Sequence, residues 1–110
     1  MNDCIFCKII NGEIPSKKVF EDDDFICFHD IHPIASTHVL LVPKTHIESI
    51  NNLTDTNFSG KLLTKVPEIA KILGIGQAYK AIINTGADAG QSVAHMHIHI
   101  LGGKFFGLPQ

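Results

Sequence analysis

The chain has 110 residues, enough for one domain (residues 1–110) and too short for two separate cores. With 45% hydrophobic and 18% charged residues, wholesale disorder is excluded. A formal net charge of -2 supplies no basic field for non-specific nucleic-acid binding, and no apolar run approaches the roughly 18 residues that a membrane helix needs.

In chain order, Met1-Asn2-Asp3-Cys4 has no basic region followed by an apolar one, so no signal peptide is expected. The inference is a cytoplasmic enzyme or binding module. Three cysteines do not form a secreted disulfide framework, but Cys4 and Cys7 have the spacing of half a zinc site or of a redox pair. Cys4 to Ile10 predicts a short N-terminal helix, stopped by Asn11-Gly12 and Pro15. Lys18–Glu21 and Phe25–His29 predict strands on either side of a solvated acidic turn, with Cys27 a small buried hydrophobe. Asp30 to Pro33 is a bend, and His32 reads as a turn residue before the proline. Thr37 to Val42 predicts a buried strand. Phe58, Leu62, Val66, Ile69, Ala70 and Leu73 recur at helical spacing, with Thr54 or Asp55 as cap and Gly74 as terminator. Pro67 is expected to kink or split this helix. Tyr79 to Asn84 and Ala94 to Leu101 complete five strands, the last ended by Gly102-Gly103. The class predicted is α+β, a largely antiparallel sheet with one main helix.

The strongest chemical signal is His95-Met96-His97-Ile98-His99-Ile100. Alternation along a strand puts three imidazoles on one face and three apolar side chains on the other. Imidazole is largely unprotonated at neutral pH and serves as nucleophile, base, acid or metal ligand. The preceding loop, Gly86 to Val93, is small and glycine-rich. Such a loop lets backbone amides approach an anion.

The segment His95 to Leu101 resembles the His-φ-His-φ-His-φ-φ signature of histidine triad proteins. The resemblance extends to Cys4–Ile10, Phe28-His29-Asp30-Ile31, His38–Lys44 and Gly90-Gln91-Ser92. With Gly102-Gly103, the chain looks most like the Hint branch, which contains purine nucleoside phosphoramidases. The resemblance implies that His97 attacks the phosphorus of a nucleoside 5′-phosphoramidate and carries a covalent nucleotidyl intermediate, which water then releases as nucleoside monophosphate. It implies that His38 relays a hydrogen bond to His97, that His99 contacts the phosphate oxygens, and that Ser92 helps the leaving amine gain a proton. Amides around Gly90, Gln91 and Val93 would share the phosphate charge, with Asn84 fixing the phosphate end. Ile5, Phe6, Ile9, Phe28, His29 and Ile31 would form the nucleoside pocket, and Asp30 would accept hydrogen bonds from both ribose hydroxyls. A glutamine in place of His99 would mark the nucleotidyltransferase branch, so His99 favours hydrolysis. The tail from Phe105 to Gln110 lacks the tryptophan of many eukaryotic relatives.

By the same resemblance, His46 and His95 complete a structural zinc site with Cys4 and Cys7; no organic cofactor is expected. It implies a homodimer in which Asp55–Leu73 and Tyr79–Asn84 form the interface and the sheet continues across subunits. The competing readings are a dinucleoside polyphosphate hydrolase, a nucleotide-binding regulator with vestigial catalysis, and a catalytic metal site on the histidine triplet.

Overall fold

The computed structural model describes residues 4–105. The tail positions 106–110 and residues 1–3 lie outside them. The chain folds as α+β, with one five-stranded antiparallel sheet in the order β1-β2-β3-β5-β4. In chain order the elements are α1 (Ile5–Ile10), β1 (Lys18–Glu21), β2 (Phe25–His29), β3 (Ala35–Pro43), α2 (Thr56–Ile72), β4 (Tyr79–Ile82) and β5 (Ile98–Phe105). No helix among the described residues is long and apolar enough to cross a membrane.

The sheet is covered on both faces, which explains why β2 and β3 read as continuous apolar runs. Phe25, Cys27, Val39 and Leu41 pack with Leu62, Val66 and Ile69 of α2. Their neighbours Ile26, Phe28, Leu40 and Val42 pack with Phe6 and Ile9 of α1 on the opposite face. One-residue alternation along each strand therefore feeds two cores.

Helix α2 begins where Asp55 accepts hydrogen bonds from the Asn57 and Phe58 amides, so Asp55 rather than Thr54 is the cap. It ends with Gly74 at φ 78°, the Gly74 amide donating to Lys71 and the Ile75 amide to Ala70. The expected break at Pro67 does not occur; α2 is continuous from Thr56 to Ile72. Pro67 lies on the exposed face, as does Leu63. The Leu63 carbonyl, which loses its helical partner, is therefore on the side that water reaches.

The last two strands differ from expectation at their ends. β4 stops at Ile82, and β5 starts at Ile98 and runs through both glycines to Phe105. His95 and His97 thus precede the ladder. A bulge allows the extension: Ala35 pairs with Phe105, while Thr37 already pairs with Gly102. Gly103 takes φ 76° there, and Ser36 Oγ accepts from the Lys104 amide at 2.8 Å and donates to the Gly102 carbonyl at 3.3 Å.

Candidate active site

The segment Met96 to Ile100 sorts its side chains as alternation predicts, although only part of it is in the sheet. Met96, Ile98 and Ile100 enter the core under α2. His95, His97 and His99 lie on the α1 side. Their rings form a row with Phe6: Phe6 stands edge-on to His95 at 5.8 Å and to His97 at 5.0 Å, and His97 is 5.0 Å from His99.

The three imidazoles do not converge on one point, and their hydrogen bonds fix three different roles. His97 Nδ1 lies 2.7 Å from the His95 carbonyl, which only accepts, so this nitrogen carries the proton and Nε2 is left with its lone pair. His95 Nε2 lies 2.7 Å from the Pro43 carbonyl and is protonated for the same reason. His95 Nδ1 then directs a lone pair at Cys4 Sγ, 3.3 Å away, with Cys7 Sγ at 3.6 Å.

The third role differs from expectation: His38 bonds to His99, not to His97. His38 sits two residues from Leu40, the β3 residue that pairs with His99 of β5, so it is the diagonal neighbour of His99 on the same face. The Ile34 amide donates to His38 Nδ1 at 3.1 Å, which places the His38 proton on Nε2. That N–H donates to His99 Nδ1 at 2.9 Å, with Asp30 Oδ2 a more distant acceptor at 3.4 Å. His99 in turn carries its own proton on Nε2. Burial holds His38 below the ordinary imidazole range, against the opposing Asp30 carboxylate. Burial pushes His99 down to about 4, helped by repulsion from His97 and His38 and opposed by Asp30. Burial also lowers His95, against the bond to Pro43, with His46 and His97 adding repulsion.

A cleft of about 760 Å³ opens over His97 and His99. Of the expected nucleoside residues, Ile5, Phe6, Ile9, Phe28, His29, Asp30 and Ile31 all line it, as do Ser92 and Val93. Its wall also holds residues that the sequence did not single out for this role: Ile14, Pro15, Ser16, Lys17, His32 and Leu40. For Leu40 the signal was available, since pairing with the histidine strand puts it beside His99. His32 is still a turn residue, its amide bonded to Asp30 Oδ1 at 2.8 Å, but the turn delivers it to the cleft.

Asn84, Gly90 and Gln91 do not line the cleft. The Gly90 amide donates to Ala87 and the Gln91 amide to Gly86, so neither is directed at a ligand. Gln91 instead braces the loop: its Oε1 accepts from the Gly86 amide, and its Nε2 donates to the Glu48 and Val93 carbonyls. Asn84 stands behind Gly90, where an added Cβ would come 3.7 Å from Asn84 Nδ2. Among the described residues no hydrogen bond engages the Ser92 or Val93 amide, which leaves those two for an anion.

Among the described residues two groups have ligand chemistry. In Cys4, Cys7, His46 and His95, one donor atom of each lies within 4.8 Å of the others. His46 Nδ1 is 3.3 Å from Cys7 Sγ. Two sulfurs and two imidazole nitrogens suit tetrahedral zinc, and the Pro43 carbonyl is the outer partner that fixes the His95 tautomer, leaving His95 Nδ1 unprotonated. Burial, then the hydrogen bond and charge of Cys4, push the Cys7 thiol up, so a pair of thiolates here calls for a cation. Asp30, His38 and His99 form the second group. A metal on His38 Nε2 would move its proton to Nδ1, against the Ile34 amide, so two donors would collide. This group is a hydrogen-bond relay. Among the described residues His95, His97 and His99 do not come together as one ligand group, and His95 is directed at Pro43 and the cysteines, which disfavours a catalytic metal site on the triplet.

A family model described as HIT domain matches residues 11–106. Protein HitA of Neisseria gonorrhoeae is 48% identical over 104 residues, 93% of this chain and 97% of its own. An uncharacterized HIT-like protein of Synechocystis sp. is 47% identical over 109 residues, 97% of this chain and 96% of its own. A histidine triad protein from Clostridium difficile has a similar structure, with a TM-score of 0.90 at 45% identity, covering 100% of this chain and 96% of that one. A HIT family hydrolase from Legionella pneumophila gives a TM-score of 0.89 at 39% identity, covering 97% and 98%.

Proposed function

This chain belongs to the HIT domain family, and on that premise we propose that it hydrolyses purine nucleoside 5′-phosphoramidates to nucleoside monophosphate and amine. The observation that carries the reading is the His95 carbonyl on His97 Nδ1, which leaves Nε2 as a lone-pair nucleophile in a cleft with an apolar slot and a carboxylate. The similarity to a protein described as a HIT family hydrolase supports the reaction class.

The nucleoside lies between Phe6, Ile9 and Phe28, and its ribose hydroxyls donate to Asp30. His97 Nε2 bonds to phosphorus as the bond from phosphorus to the leaving nitrogen breaks. The leaving nitrogen takes the Ser92 hydroxyl proton and departs as the amine, and the water of the second step returns a proton to Ser92. His99 Nε2–H and the Ser92 and Val93 amides hold the phosphoryl oxygens as charge develops. Water then displaces His97 from phosphorus and restores the free imidazole, so one difficult displacement becomes two easier ones. His99 carries no charge of its own at neutral pH, so it serves as a hydrogen-bond donor rather than a counter-ion.

Cys4, Cys7, His46 and His95 hold a structural zinc in this reading. These residues would tie α1 to the segments that leave β3 and enter β5, and a bound zinc would be structural, because four protein ligands leave no open position. The proposal also includes a two-fold dimer through α2 and the edge strand β4. Leu63 and Ile72 of α2 are 60% and 55% exposed, and a cavity of about 520 Å³ lies beside β4 and the end of α2. Three unpaired cysteines fit a cytoplasmic location.

Turnover of adenosine 5′-phosphoramidate by the wild type and by His97→Ala tests the proposal. Equal rates reject His97 as nucleophile, and a higher kcat/KM on a diadenosine polyphosphate would replace the substrate class. Sedimentation at a monomer mass across concentrations would reject the dimer.

A further inference from the structure

A second cavity of about 360 Å³ adjoins the cleft, and Ile5, Ser92 and Val93 line both. Beyond that shared edge it is bounded by Cys4, His46 and Glu48. Its position bears on the one part of the substrate not yet placed, the amine. Displacement in line puts the leaving nitrogen across phosphorus from His97 Nε2. In the phosphoramidase reading that nitrogen is within reach of the Ser92 hydroxyl, and Ser92 stands on the border of the two cavities. The apolar slot is taken by the nucleoside, so a substituent on the nitrogen has the second cavity to enter.

Glu48 gives this cavity its sign. It is the one acidic residue among those lining it, and no lysine accompanies it. A zinc held by two thiolates and two neutral imidazoles would carry no net charge, so the neighbouring metal site does not offset the carboxylate. The Glu48 side chain is exposed, and among the described residues neither a hydrogen bond nor an ion pair engages it. Its backbone, by contrast, is pinned. The Ile47 carbonyl accepts from the Met96 amide at 2.6 Å, and the Glu48 carbonyl accepts from Gln91 Nε2 at 2.6 Å. The same Gln91 nitrogen donates to the Val93 carbonyl at 3.0 Å, so one side chain ties Glu48 to the loop that carries Ser92. An unpaired carboxylate on a fixed stem, beside the position of the leaving nitrogen, attracts a cation.

We propose that this second cavity is the amine subsite, and that Glu48 selects phosphoramidates of aliphatic amines that carry a second, cationic ammonium group, as diamines and polyamines do. The inference rests on the phosphoramidase reading for its kinetic form, whereas the subsite itself needs only the intact compound to bind.

The probes are the adenosine 5′-phosphoramidates of butylamine and of 1,4-diaminobutane, on the zinc-loaded protein at low ionic strength. The ratio of their kcat/KM values is read in the wild type, in Glu48→Gln and in Glu48→Lys. Comparing ratios between proteins cancels the intrinsic difference between the two leaving amines and any general loss of activity. The wild-type ratio, diamine over monoamine, is expected to exceed that of Glu48→Gln by about fivefold, the scale of one exposed ion pair, and that of Glu48→Lys by more. The excess should fall toward unity in about 0.5 M salt. Equal ratios in the three proteins, or an excess that salt leaves intact, overturn the proposal. Calorimetry on His97→Ala, with and without Glu48→Gln, reads the affinity for the intact compounds and needs no turnover. The diamine compound is expected to bind about fivefold tighter than the butyl compound only while Glu48 is present. Equal affinities, or no affinity for either, overturn the subsite. The two readings fail separately. Hydrolysis of both compounds by the wild type at a ratio indifferent to Glu48 rejects the subsite and keeps the phosphoramidase. A Glu48-dependent affinity with hydrolysis of neither supports the subsite and rejects the phosphoramidase reading alone.

Discussion

Phe6 stands edge-on to His97, with ring centroids 5.0 Å apart and ring planes at 89°. The same phenylalanine lies two residues after Cys4 and directly before Cys7, and it packs edge-on against Phe28 at 5.6 Å. One residue therefore joins the proposed zinc site, the nucleoside slot and the proposed nucleophile. Stripping the metal with a chelator should lower Tm by about 5–10 °C and raise KM more than it lowers kcat, since the slot loosens before the His97–His95 bond does. Metal analysis is expected to find one zinc per chain, lost in Cys7→Ser. A chelated protein with unchanged Tm would remove the structural role.

The intermediate should be traceable. Acid quenching during turnover is expected to leave a nucleotidyl group on His97, located by mass spectrometry, and His97→Ala should lose about 10⁴-fold or more in kcat. An adduct on His99 instead would invert the assignment.

His99 makes the fold sensitive to acid in a defined window. Its pKa falls from 6.5 to about 4 on folding, so between these values the unfolded chain binds more protons than the folded one. Stability is complete above pH 6.5 and is lost as pH falls toward 4. Solvent reaches part of this ring, which screens the effect to about 1–2 kcal/mol. Denaturant melts of the wild type and His99→Gln at pH 7 and pH 4.5 check it. The wild type should lose more than the variant, and parallel losses would refute the attribution.

Gln91 should matter for rate and little for folding. Its three hydrogen bonds tie Gly86, Glu48 and Val93 together under the loop that carries Ser92. Gln91→Ala is expected to lower kcat/KM about tenfold while Tm moves by no more than about 2 °C. A large drop in Tm with normal kinetics would make Gln91 a stability residue.

The two glycines of β5 are packing requirements. A Cβ on Gly102 would meet Ile75 Cδ1 at 2.7 Å, and one on Gly103 would run into Ser36 Oγ, at a φ of 76° that L-residues avoid. Gly103→Ala should destabilise by about 1–3 kcal/mol, measured by urea melts. The double change with Ser36→Ala should restore only part, because the backbone strain stays.

Much of the site was legible because it is local. The alternation of His95, His97 and His99 with Met96, Ile98 and Ile100 sorts side chains between two faces whether or not the backbone is paired. That is why the sorting held even though the ladder begins only at Ile98. Pro67 misled because its cost depends on which face of α2 it occupies, and the exposed face lets water replace the lost donor. Gly102-Gly103 misled because close packing against Ile75 and a bulge beside Ser36, rather than a strand end, were the reasons for glycine.

From residue types and their periods alone come the α+β class, the capped helix, the row of imidazoles and the half-site of two cysteines, all set by neighbours within a few positions. Proton placement was decided elsewhere. The Ile34 amide on His38, the His95 carbonyl on His97 and the Pro43 carbonyl on His95 follow from strand register and loop path. Those fix which nitrogen of each ring is bare, and a histidine's chemistry depends on that nitrogen, which its place in the sequence does not specify.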